Sequence, residues 1–115
     1  MPTIRNVTVE PVRVSPAEAV LLVRVELDAP LPGGEARGRL VGPRCPGVST
    51  IEIAYLLHPL PASGDTVLSL RAVVPEPNLW SAAAPFRYDG RAEVWGGGAC
   101  VAAEAFAVEL RPRSL

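Results

Sequence analysis

Residues 74–94 read VPEPNLWSAAAPFRYDGRAEV, where prolines, a tryptophan and three alanines separate one apolar segment from the next. Pro75 and Pro77 cannot donate a ladder hydrogen bond, and each biases the residue before it toward extended geometry, so a strand ending near Val74 must leave its sheet. A new strand begins after Pro85. A connection of this kind passes from one sheet to another across the open end of a core. The reading places Trp80 there as a plug, since a tryptophan can bury roughly 150–250 Å².

Working outward, the apolar residues recur with period 2. In AVLLVRVEL, residues 19–27, Leu21, Val23, Val25 and Leu27 share one face while Leu22, Arg24 and Glu26 share the other. This is a strand with one buried and one partly wet face. STIEIAYLL, residues 49–57, puts Ile51, Ile53, Tyr55 and Leu57 inward. TVLSLRAVV, residues 66–74, does the same with Leu68, Leu70, Ala72 and Val74, and FRYDGRAEVW, residues 86–95, with Phe86, Tyr88, Ala92 and Val94. Three further segments carry less pattern. TIRNVTVEPVRV, residues 3–14, is interrupted by Pro11 and reads as an edge strand that bends or changes sheets. ARGRLVG, residues 36–42, is short. ACVAAEAFAVELR, residues 99–111, has helix-favouring composition, yet Phe106, Val108 and Leu110 alternate against Ala107 and Glu109, which sets a strand from about Glu104.

Turn signals lie between these runs: VSPAE, DAPLPGGE, GPRCPGV, HPLPASGD, VPEPN and WGGGA. The 13 prolines and 10 glycines are spread among apolar segments, as turns require, rather than massed as a linker. About seven short strands in roughly 100 residues describe an all-β, immunoglobulin-like antiparallel β-sandwich. With 115 residues and 49% hydrophobic content, residues 1–115 are expected to form a single domain with one core.

At Leu79-Trp80-Ser81, three residues, Pro85, two residues and Tyr88, the chain resembles the immunoglobulin-like sandwich domain of glycoside hydrolase family 2, the β-galactosidases, β-glucuronidases and β-mannosidases. The tail EAFAVELR is similar to the ending of such domains. Arg87 stands where that family has an apolar residue, and Ala107 where it has glycine. The resemblance covers the last 45 or so residues. It implies a structural motif of Leu79, Trp80, Ser81, Pro85 and Tyr88 and a non-catalytic role, because the family's catalytic barrel and its paired glutamates have no place in a chain of this length. The expected function is that of a spacer, scaffold or interaction module contacting neighbouring domains or another protein. The alternative is a free-standing carbohydrate- or protein-binding sandwich.

The residues able to carry chemistry are few. Eleven basic residues, all arginine, against twelve acidic ones give a net charge of -1, with the arginines scattered among acids, so neither a nucleic-acid nor an anionic-membrane footprint is present. No apolar run approaches the roughly 18 residues of a membrane helix, and MPTIRNVTVE lacks a signal-peptide pattern, leaving the cytoplasm as the default location. Cys45 and Cys100 lack metal-site spacing and read as independent thiols; a disulfide would need their Cα atoms within about 7 Å. His58, the one histidine, reads as a turn-entry residue rather than a base or ligand, and no cofactor or metal is expected. Glu52, Glu93 and Glu109 fall at outward positions, where a solvated face explains them. WGGGA lacks the strand-to-helix context of a phosphate loop and reads as a hairpin tip. Trp95, beside it, is the surface-binding candidate, able to stack on a sugar ring or pack against a neighbour.

Overall fold

The computed structural model describes residues 2–61 and 64–112. Residues 62–63 of the turn HPLPASGD, and Arg113, lie outside the described residues. Eight strands form: β1 (Ile4–Val14), β2 (Glu18–Leu27), β3 (Glu35–Arg44), β4 (Ile53–Leu56), β5 (His58–Pro59), β6 (Val67–Pro75), β7 (Arg87–Gly96) and β8 (Ala99–Val108). They build two four-stranded sheets, β1-β2-β6-β5 and β4-β3-β7-β8, antiparallel throughout. This is an immunoglobulin-like β-sandwich with eight strands rather than seven; β4 is the extra strand beside a three-stranded sheet.

The period-2 segments supply the core. Leu21, Val23, Val25, Leu70, Ala72, Val74, Ala92 and Val94 have no accessible surface, and Leu27, Leu57 and Leu68 are also buried. Each is on the inner side of its strand because successive side chains point to opposite faces. β1 is an edge strand, as Pro11 requires, and it accommodates the proline by a register shift between Pro11 and Arg13 while staying in one sheet.

Three segments differ from their sequence reading. ARGRLVG belongs to a ten-residue strand between β4 and β7. Its apolar signal is diluted by Gly42, where a Cβ would stand 2.6 Å from the Tyr88 ring, so glycine is the space the tyrosine fills. The last strand starts at Ala99, not Glu104, because Gly97 and Gly98, both at positive φ (60° and 79°), close a two-residue hairpin that fixes the alanine-rich half against β7. The third correction concerns Ile51 and Ile53, which are 87% and 51% exposed. Only Tyr55 and Leu57 of that segment reach inward. Alternation does set Ile53 on the side of Tyr55, but β4 is an edge, and the facing sheet ends in the two-residue strand β5. Leu57, its N–H donating to the Gly38 carbonyl at 2.9 Å, is the crossing point at which the chain changes sheets.

Candidate functional site

The β6–β7 connection leaves the first sheet at Pro75 and enters the second at Arg87. Glu76 takes the left-handed conformation (φ 47°) that turns the chain, tied by its N–H to the Ala17 carbonyl at 2.9 Å. Pro77 is buried, Leu79 packs against the core, and the Trp80 N–H donates to the Leu110 carbonyl at 2.8 Å, so the connection is fastened to the segment after β8. Ser81 closes a tight turn, its hydroxyl accepting from the Ala84 N–H at 3.0 Å, and half-buried Pro85 leads into the new strand. Tyr88, 1% exposed, brings its hydroxyl under the connection, where it accepts the Asn78 N–H at 2.9 Å. Burial, partly opposed by that hydrogen bond, pushes its phenol above the ordinary tyrosine range.

Trp80 is therefore not the plug. Its ring is half-buried and lies outside the core cluster, with the Arg111 guanidinium 3.8 Å from the ring centroid. Its indole N–H is sealed from solvent and has no hydrogen-bond partner among the described residues. The fully enclosed aromatic is Tyr88, whose ring meets Tyr55 edge-on at 6.4 Å between centroids.

Trp95 sits half-buried on the outer face of β7. Arg37 lies 4.3 Å over its ring, and its N–H donates to Glu93 at 3.1 Å. One ring face is thus already covered. Glu93 also accepts from Arg91 at 2.9 Å, and these two donors, Arg91 first, hold its carboxyl below the usual range. Three further acids are similarly engaged: Glu52 and Asp89 both accept from Arg44, at 2.7 Å each, and Glu109 accepts from Arg111 at 3.2 Å. Arg87 pairs with Asp89 at 3.3 Å, which an apolar residue there could not do, and Ala107 lies exposed. Cys45 is buried and Cys100 exposed, both as free thiols, and His58 is exposed on β5 opposite Arg71.

Sequence reasoning missed an open hollow of about 520 Å³ beside the connection, lined by Val48, Ile51, Ile53, Tyr55, Phe86 and Glu76 among others. Phe86, expected inside, is half-buried before β7. Alternation assigns Ile51, Ile53 and Phe86 to the core, so no pattern marks them as surface.

No family model matches the sequence, and no curated protein sequence is similar to it. Solved structures match the fold. The β-glucuronidase of Bifidobacterium dentium, solved with coumarin-3-O-glucuronide, superposes with a TM-score of 0.67 at 14% identity, over 95% of this chain and 17% of its own. A glycoside hydrolase family 2 member from Bacteroides cellulosilyticus gives 0.66 at 15% identity, over 95% and 15%. The Bacteroides uniformis β-glucuronidase gives 0.58 at 17% identity, over 95% and 14%. The chain has the fold of a β-sandwich domain within these enzymes and spans about a sixth of their length.

Proposed function

We propose that the chain is a non-catalytic β-sandwich module of the glycoside hydrolase family 2 type, which holds neighbouring protein domains at fixed orientation through surface contacts. The carrying observation is the mismatch of coverage: 95% of this chain superposes on only 14–17% of each enzyme, so the likeness is to one minor segment of a larger machine. The chemistry of the surface supports this reading. Glu52, Asp89, Glu93 and Glu109 are each held in an ion pair by an arginine, so these carboxyls are engaged within the protein surface rather than presented to a substrate.

The test uses the polypeptide encoded by the natural reading frame, with and without residues 4–110, and the 115-residue chain alone. The expectation is no turnover of nitrophenyl β-glycosides by the chain alone, and a changed small-angle scattering profile of the remaining domains once the segment is removed. Turnover by the isolated chain, or a remainder whose arrangement is indifferent to the deletion, would overturn the reading.

A further inference from the structure

We propose that the free edge of β4 and the hollow beside it form a docking surface for an extended apolar polypeptide segment that carries a basic side chain. This deepens the reading of the chain as an interaction module and rests on it. Among the described residues, the exposed large apolar side chains are Val48, Ile51, Ile53, Leu56 and Leu60, at 52, 87, 51, 71 and 36% exposure. All five fall within a thirteen-residue span, residues 48–60, but only Val48, Ile51 and Ile53 share one hollow, while Leu56 and Leu60 line separate depressions elsewhere on the surface. Scattered exposed apolar residues are ordinary, whereas a contiguous patch beside a concave surface marks a contact. Val48, Ile51 and Ile53 line the hollow together with Tyr55 and Phe86.

The edge points the same way. β4 is hydrogen-bonded to β3 on one side and, among the described residues, to no strand on the other. Its four residues, Ile53–Leu56, include neither a charge nor a proline, the usual guards against strand addition. The two long edges are guarded otherwise: eleven-residue β1 by Pro11 and its register shifts, ten-residue β8 by exposed Glu104. An added strand would take the open backbone groups of β4 and lay alternate side chains on Ile51 and Ile53.

Charge selects the occupant. Glu76 is the single charged residue lining the hollow, and it makes no ion pair among the described residues. Its left-handed backbone is tied to Ala17, which fixes the residue's place in the wall of the hollow. A basic side chain on the incoming segment would meet it. A second copy pairing through its own Ile53–Leu56 brings no basic residue in that strand, so a different polypeptide segment fits better.

The experiment is a ¹⁵N-edited amide titration of the 115-residue chain with a capped hexapeptide alternating valine and arginine, and with its valine–glutamate counterpart. The arginine peptide is expected to shift the amides of residues 51–56, Glu76 and Asn78 saturably. Ile51→Asp, at a site 87% exposed and with circular dichroism used to check that the fold is kept, should weaken binding at least tenfold. Glu76→Gln should weaken it severalfold and erase the preference over the glutamate peptide. Absence of shifts, equal response to both peptides, or sedimentation showing a dimer that Ile51→Asp dissolves would each overturn the proposal. Shifts confined to the Arg37–Trp95 face would remove this surface while leaving the module reading intact, and turnover of glycosides would do the reverse.

Discussion

The Tyr88 hydroxyl accepts a hydrogen bond from the backbone N–H of Asn78, ten residues earlier, at 2.9 Å. That bond joins the buried start of β7 to the connection that precedes it, and it sets where the chain crosses between sheets. Tyr88→Phe keeps the ring and strands the Asn78 N–H, so a loss of about 1–2 kcal/mol is expected in urea denaturation. Tyr88→Ala should cost about 3–5 kcal/mol, the range for removing an enclosed aromatic.

Trp80 behaves differently because it is clamped from outside rather than enclosed. Trp80→Ala is expected to cost about 1–2 kcal/mol, below the range for a buried aromatic. A double-mutant cycle with Arg111→Ala should give a coupling of about 0.5–1 kcal/mol, the scale of a partly exposed cation–π contact.

Phe106 lies over Gly90, its cross-strand partner: a Cβ on residue 90 would stand 2.1 Å from the ring. The aromatic thereby covers backbone that a larger residue would otherwise shield. Gly90→Ala must displace the ring and should cost about 1–3 kcal/mol. In Phe106→Ala the same glycine substitution should cost less, which thermal denaturation of the four proteins would show.

Asp28 ties down the N-terminal end of β1, accepting from the Thr3 N–H at 2.8 Å and the Thr3 hydroxyl at 2.7 Å. These bonds hold its carboxyl below the ordinary range. A carboxyl depressed on folding favours the folded state at pH values above its unfolded pKa, and that contribution disappears as pH falls through the folded one. Wild type should therefore be more stable than Asp28→Asn at pH 7, and the gap should close at acid pH, measured as the shift in urea midpoint.

The strands most legible in the sequence are those with a strict two-residue period and a facing partner. Leu21, Val23 and Val25, or Leu68, Leu70 and Ala72, read correctly because alternation and burial coincide there. Alternation says which side chains share a face, however, not whether anything covers that face. Ile51 and Ile53 read as inward on that basis and stand exposed at an edge. The strand β3 is hidden by Gly38 and Gly42, whose missing side chains make room for neighbours supplied from elsewhere in the chain. Size misleads at the connection: Trp80 is the bulkier ring, but Tyr88 occupies an inner strand position and can satisfy its hydroxyl on the backbone. The spacing from Leu79 to Tyr88 still points to the fold that the glycoside hydrolase family 2 structures share. Arg44, joined to Glu52 and to Asp89 forty-five positions away, is beyond sequence reasoning because only tertiary pairing of β3 with β7 brings them together.

The most direct test of a module acting by contact is amide hydrogen exchange of the 115-residue chain, compared without and with the valine–arginine hexapeptide at saturation. Slowed exchange at residues 48–56, Glu76 and Asn78 in the presence of the peptide is the predicted result. Equal rates at those amides in both states would contradict it.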